Sequence, residues 1–261
     1  MKHFLKDKDN IIEEIKNFIK QEIEASRTKG AVVGLSGGID SAVVAHLTVL
    51  AIGKDKVSLI HLPEKELDSV HTQDAQLIAK QLDIPLKIIE ISPLVEDMID
   101  IYPELKNNQI AKGNLKARIR GVNLYTISNL ENKLVIGTSN KSEILIGYGT
   151  KYGDLAADIW PIGDIYKTEL YKIAKKLNIN SRIIEKPPTA GLWVGQTDEG
   201  EIGITYEKLD QFLLGLENGL DEKVLVKTVG LKEEDVKNIK IRIKNNKHKS
   251  MMPKVIKFKR D

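Results

Sequence analysis

The stretch that decides the fold is VVGLSGGIDSAVVAHL, residues 32–47. It sets Ser36, Gly37, Gly38, Asp40 and Ser41 between two apolar runs. The first run, Ala31 to Leu35, is short and β-branched, and the second, from Ala42 to Leu50, repeats its apolar residues at helical spacing. A strand, a glycine turn and a helix is the economical reading. The question it leaves is whether the turn only joins the two elements or also holds a ligand.

Working outward, strands and helices alternate. Residues 9–26 form an amphipathic helix with Ile11, Ile12, Ile15, Phe18, Ile19 and Ile23 on one stripe. Strand 31–36 precedes helix 40–53, and KVSLIHL gives strand 56–62. The next helix is opened by Asp68 or Ser69 as N-cap, and strand 86–91 and a short helix near 93–101 follow. A long helix over 114–131 and a strand at 133–137 complete the series. Apolar strands in βαβα order predict an α/β fold: a doubly wound, mostly parallel sheet flanked by helices on both faces.

The pattern changes after residue 147. Residues 148–166 are rich in Gly, Asp and aromatics without a period, a helix follows over 168–178, and 187–203 is again irregular. Loops this long inside a compact domain are functional or disordered, and the Pro, Trp and acids of the second favour order. Amphipathic stretches at 205–219, 221–229 and 232–246 close the chain. With 261 residues and 41% apolar content, one large α/β domain spanning 1–261 is expected, with a helical, basic region over 205–261.

Composition excludes several classes. No apolar run approaches the ~18 residues needed to span a bilayer. The start, MKHFLKDKDNIIEEIKNF, is charged and helical in period rather than signal-like, so a soluble cytoplasmic protein is expected. Cysteine is absent, which removes disulfides, thiolate metal sites and a cysteine nucleophile. A net charge of +3 does not by itself point to nucleic acid, although residues 237–260 hold ten Lys or Arg and no acid. That tail reads either as a solvated helix face or as a phosphate-binding element.

In open α/β sheets, ligands sit beyond the carboxyl ends of the strands. SGGIDS lies there, at the N-terminus of its helix, where free N–H groups and the dipole favour an anion. Gly37 and Gly38 let the backbone approach phosphate oxygens, and Ser36 and Ser41 offer hydroxyls. Neither G-x-x-x-x-G-K-[ST] nor G-x-G-x-x-G is present. Asp40 is decisive: an acid inside an anion site repels phosphate unless a cation such as Mg²⁺ bridges them. The plainer alternative is that Asp40 only caps the helix.

SGGIDS resembles the pyrophosphate loop of the N-type ATP pyrophosphatases, and within that superfamily the chain is similar to the ammonia-dependent NAD⁺ synthetases. The resemblance covers nearly the whole length and rests on GLSGGIDSA, GNLKARIR, GTSNKSEILIGYGTKYGD, DIWPIGDIYKTEL, KPPTAGLWVGQTDEGEIG and the terminal NKHK. Val194 departs from the pattern, where a Pro is expected. The resemblance implies a Rossmann-like adenine nucleotide alpha hydrolase fold. It also implies a C–N ligase of NAD biosynthesis that adenylates the nicotinate carboxylate of deamido-NAD⁺ with ATP and releases pyrophosphate. Ammonia then displaces AMP.

By the same resemblance, Gly34, Leu35, Ser36, Gly37, Gly38, Ile39, Asp40 and Ser41 cradle ATP, together with Thr138, Lys167 and Thr189. Asp40 and Glu143 hold Mg²⁺, and Lys141 is a further candidate cation. Asp40, Glu143 and Lys167 form the catalytic set. Arg118, Lys151, Asp158, His248 and Lys249 contact deamido-NAD⁺, His248 by binding rather than as a base. The resemblance further implies a homodimer formed along helix 114–131, with Arg118 and Arg120 near the partner. Rival readings weighed against it are a different N-type pyrophosphatase (tRNA-thiolating or GMP-forming), a non-catalytic nucleotide sensor, and a nucleic-acid binder using the tail. The absence of cysteine, the presence of both Asp40 and Glu143, and the lack of aromatic platforms among the tail lysines speak against them in turn.

Overall fold

The computed structural model describes residues 10–65, 69–193 and 195–259. Asp68, residue 9 of the first predicted helix and the Val194 departure lie outside the described residues. In chain order the elements are α1 (Ile11–Ser26), β1 (Ala31–Gly34), α2 (Ile39–Ile52), β2 (Val57–His61), α3 (Ser69–Leu82), β3 (Leu86–Ile88), α4 (Ser92–Ile101), α5 (Gln109–Glu131) and β4 (Leu134–Ile136). Then follow α6 (Lys141–Ile146), α7 (Lys167–Lys176), α8 (Ser181–Ile184), α9 (Asp198–Ile202), α10 (Tyr206–Glu217), α11 (Glu222–Val229) and α12 (Glu233–Asn246).

The four described strands are parallel in the order β3-β2-β1-β4. The chain moves outward from β1 to β3, then returns across the sheet through α4 and α5 to place β4 on the other side of β1. This reversal buries both faces. Ala31 and Val33 join Ile15, Ile19, Val43, Leu47 and Ile78 in one core, whereas Val32 and Ile60 join Ile91, Val95, Ile119 and Ile127 in another. Alternate residues of one strand thus feed opposite cores. A third core, built on Phe212, Leu209, Leu225 and Ile239, holds the C-terminal helices against α6.

The isoleucines of α1 recur at four-residue spacing (Ile11, Ile15, Ile19, Ile23), are all buried, and seat that helix along α2. The long helix starts a turn earlier than its apolar pattern, at Gln109, because the Asn108 side chain accepts the Ala111 N–H at 3.0 Å and caps it. The third strand is shorter than its apolar run: Ile89 and Ile91 still donate to the His61 and Pro63 carbonyls, but outside the regular ladder. Residues 158–159 run alongside β4 as a rudimentary extra strand. Asp158 N–H donates to Val135 O, Gly137 N–H donates to Ile159 O, and the Asp158 carboxylate accepts the Val135 N–H at 2.7 Å.

The strand order reverses between β1 and β4, and it is beyond the carboxyl ends of these two strands that a doubly wound sheet opens a crevice.

Candidate active site

A cavity of about 660 Å³ occupies that crevice. Of the residues singled out from sequence, Gly34, Leu35, Ser36, Gly38, Ile39, Asp40, Ser41, Thr138, Glu143, Lys167, Thr189 and Lys249 line it. Gly37, Arg118, Lys151, Asp158 and His248 do not.

The glycine loop is cross-braced from within. Ser36 Oγ and Ser41 Oγ lie 3.0 Å apart, Ser41 Oγ donates to Gly38 O, and Gly38 N–H donates to Ser36 Oγ. Gly37 has φ +82°, and a Cβ there would stand 2.5 Å from the His71 carbonyl oxygen. Conformation and space both demand glycine at this point. Gly38 caps α2 in extended backbone with no side-chain cap, so the first turn of the helix points its N–H groups at the cavity.

Asp40 stands in that first turn, and two groups converge on it. Lys167 Nζ donates to Asp40 Oδ2 at 2.5 Å and lies 3.5 Å from Glu143 Oε1, while Asn140 Nδ2 donates to Asp40 Oδ1 at 2.8 Å. The lysine side chain is only 2% exposed. Glu143 is placed by a capping box: Asn140 Oδ1 accepts the Glu143 N–H, and Glu143 Oε2 accepts the Asn140 N–H. Asn140 therefore fixes both carboxylates at once.

The two ends of this triad are driven in opposite directions. Burial, with Asp40 beside it, pushes the Glu143 carboxyl up to about 8 despite the opposing pull of Lys167. Burial works against the Lys167 ammonium, but Asp40 and Glu143 outweigh it and hold the group above its ordinary range. The lysine is the resident counter-charge of a carboxylate pair.

A second acidic group faces the same cavity. Tyr148 Oη lies 3.0 Å from Asp198 Oδ1 and 2.7 Å from Glu201 Oε2, within hydrogen-bond reach of both. Tyr206 Oη reaches Asp198 Oδ2 at 3.2 Å, and the Tyr206 ring lies 5.3 Å from Lys167 Nζ. Burial raises the Asp198 carboxyl above its ordinary range. The irregular 187–203 segment is folded rather than loose: Thr189 Oγ1 donates to Gln196 O, Leu192 N–H donates to Gln196 Oε1, and Asp198 N–H donates to Pro188 O. Asn140, Tyr148, Asp198 and Glu201 were not singled out from sequence. The one available signal was the N-x-x-E spacing of Asn140 and Glu143.

The basic tail is anchored by shape. Gly147 has φ +64°, and a Cβ there would overlap Asn246 at 2.1 Å, so α12 docks on bare backbone. Lys249 then donates to the Gly147 and Gly149 carbonyls at 2.9 and 3.0 Å and enters the cavity wall, while His248 stays exposed beside it.

Two expectations are corrected. Lys141 is not in the site: it pairs with Asp164 and Glu217 at 2.8 Å and lies over the Tyr166 ring, because the first position of α6 points away from the crevice. Arg120 turns inward, donating from Nε to Leu62 O and lining the cavity, whereas Arg118 is exposed. Positions two apart on a helix face opposite ways. Arg118 Nε donates to Lys151 O at 3.3 Å, and Tyr125 Oη donates to Asp158 Oδ1 at 3.2 Å, so Arg118, Lys151 and Asp158 gather along the outer side of α5.

A doubly wound α/β sheet with a glycine loop opening a helix at its switch point, faced by a lysine locked between two carboxylates, defines a phosphate-handling enzyme architecture. Within that class the chain belongs to the NAD synthase family, whose model matches residues 11–253. The NH(3)-dependent NAD(+) synthetase of Methanosarcina acetivorans is 44% identical over 254 residues, covering 97% of this chain and 98% of that protein. Among solved structures, the NH3-dependent NAD synthetase of Campylobacter jejuni superposes with TM-score 0.81 at 36% identity, covering 97% of this chain and all of that one. The NMN synthetase of Francisella tularensis superposes with TM-score 0.84 at 31% identity, covering 96% of this chain and 98% of that one.

Proposed function

We propose that the protein is the ligase that makes NAD⁺ from deamido-NAD⁺, ATP and ammonia, with AMP and pyrophosphate as the other products. The observation that carries this reading is the Asp40–Lys167–Glu143 triad at the open end of the phosphate loop. A nicotinate carboxylate oxygen attacks the α-phosphorus, the bond to the α,β-bridging oxygen breaks, and pyrophosphate leaves. The ammonia nitrogen then attacks the acyl carbon, sheds a proton, and AMP departs with the oxygen through which it was attached.

The chain's own groups divide this work. The glycine loop and the N–H groups of the first turn of α2 receive the phosphates, with Thr138 and Thr189 bordering them. Lys167, charged and immobile, meets the negative charge that builds on the departing pyrophosphate. The Asp198 carboxyl, held above its ordinary range, is suited to accept the proton of an ammonium ion.

Asp40 and Glu143 fit a Mg²⁺ ion. Both line the cavity beside the phosphate loop and offer hard oxygen donors there. No group of three or more potential metal-ligating acids, His or Cys is found among the described residues, so substrate phosphates and water would complete the shell. Such an ion would neutralise phosphate charge that an acidic pair alone would repel.

Deamido-NAD⁺ would bind between Lys249 in the cavity and the Arg118, Lys151 and Asp158 group outside it, with His248 at the tail. This split favours a homodimer that completes the site along α5. That helix presents Val122 and Leu130 to solvent at 66 and 80% exposure. No described helix is long and apolar enough to cross a membrane, which fits a cytoplasmic enzyme.

The test incubates the protein with ATP, Mg²⁺ and ammonium, and with either deamido-NAD⁺ or nicotinic acid mononucleotide. NAD⁺, AMP and pyrophosphate should appear in equal amounts with the dinucleotide. Faster turnover of the mononucleotide would refute the substrate assignment, and no AMP with either would refute the reaction.

A further inference from the structure

Beyond the triad, a further cation is built into the cavity wall on the side of the phosphate loop. Lys186, the residue before Pro187, lines the cavity together with His71. Its Nζ donates to Asp74 Oδ2 at 2.7 Å and lies 3.0 Å from His71 Nδ1. Asp74 is 1% exposed, and its second oxygen stands 2.7 Å from Arg182 Nε as an ion pair. One carboxylate thus serves two cations, leaving the cluster with a surplus positive charge beside the cavity.

The cluster is seated directly against the phosphate loop. A Cβ built on Gly37 would stand 2.5 Å from His71 O, 3.1 Å from Asp74 Cβ and 3.3 Å from Ala75 N. The first turns of α3 therefore touch the loop's backbone, and Asp74 sets Lys186 at the cavity from that side. Lys167 enters by a different route, from the start of α7 through Asp40. A triphosphate lying on Gly34–Ser41 has more negative charge than one lysine and one metal ion neutralise, and charge remote from the α-phosphorus calls for a cation away from Lys167.

Resting on the reaction proposed above, we infer that Lys186 is a phosphate-binding residue for the β,γ-phosphates of ATP, and so for the pyrophosphate that leaves. Asp74 is its positioning residue. The competing role is mechanical, since Lys186 also starts the 187–203 segment and its bond to Asp74 could simply tether that segment.

The two roles separate by ligand. Binding of magnesium pyrophosphate and of AMP to the full chain is measured by calorimetry for wild type, Lys186→Met and Lys186→Arg, with the melting temperature of each recorded. Phosphate binding predicts that Lys186→Met weakens pyrophosphate at least tenfold and leaves AMP within twofold. Lys186→Arg, which keeps the charge, should recover most of the pyrophosphate affinity. Pyrophosphate binding unchanged in Lys186→Met overturns the inference. So does a parallel loss of AMP and pyrophosphate, which marks a tether. If Lys186→Met is too unstable to assay, Lys186→Arg and Lys186→Gln at equal melting temperature decide the point, equal pyrophosphate affinity overturning it. A wild-type protein that binds neither ligand would instead refute the proposed reaction.

Discussion

Replacing Lys167 by Met removes the counter-charge of a buried carboxylate pair while keeping most of the side-chain volume. Nζ lies 2.5 Å from Asp40 and 3.5 Å from Glu143. At an effective dielectric of ~20, the contact with Asp40 is worth gross about 7 kcal/mol, most of which offsets the cost of burying the charges. What remains on removing one partner is the penalty of uncompensated charge, about 3–5 kcal/mol. For a chain of this size that is a fall in melting temperature of at least about 6 °C. The sign can be cross-checked: adding Asp40→Asn to Lys167→Met removes the stranded carboxylate and should restore part of the loss, about 1–2 kcal/mol. The assay is urea unfolding at neutral pH with a chelator present, for wild type, both single variants and the double variant. A loss below about 1 kcal/mol in Lys167→Met, or no recovery in the double variant, would show that the lysine does not balance the pair. Synthetase activity should stay low in the double variant, because stability returns without the cation.

Other perturbations read other parts of the site. Asp40→Asn and Glu143→Gln, nearly isosteric, should each reduce turnover by ~10²-fold or more while leaving far-ultraviolet circular dichroism unchanged; turnover within a few-fold of wild type would refute the metal assignment. Gly37→Ala places a Cβ at φ +82° against the His71 carbonyl, so a cost of about 1–3 kcal/mol and at least tenfold weaker ATP binding are expected by calorimetry. Val122→Glu charges the exposed side of α5; sedimentation should show a monomer, and the KM for deamido-NAD⁺ should rise far more than that for ATP. Burial lifts the Asp210 carboxyl from its usual 3.8 to about 6. Its contribution to stability is therefore present below about pH 4 and lost as pH rises through 6, a change of about 3 kcal/mol. Relative to Asp210→Asn, the wild type should lose about 2 kcal/mol between pH 4 and 6.5 in urea unfolding; a constant difference would refute the assignment.

The glycine loop was legible because it combines a strict apolar strand, two glycines and a helix start, each with a single local cause. The same holds for the sheet, since βα alternation and apolar strands leave few topologies. Glu143 was legible only as a type of residue; the position that aims it, Asn140, is one hydrogen-bonded turn away and carries no apolar period. Tyr148, Asp198 and Glu201 sit in segments without periodicity, where nothing in the spacing says which side chain points inward. Lys141 misled for the converse reason: at a helix start beside the motif it was the right chemistry on the wrong side. Asp158 is partly occupied in holding β4, through Val135 N–H, a duty that no local pattern displays.

The triad has a consequence for how the molecule is assembled. Asp40 and Lys167 are 127 positions apart, Asp40 and Asn140 are 100 apart, and Lys249 reaches carbonyls 102 and 100 positions upstream. These contacts therefore span a large fraction of the chain, and closing such spans is entropically slow. The phosphate loop will form early and locally, but it stays an empty cradle until α7 and the tail arrive. Nucleotide binding energy then accrues only to the fully closed chain, so ATP acts as a ligand-dependent brake on unfolding of the whole molecule rather than of one segment.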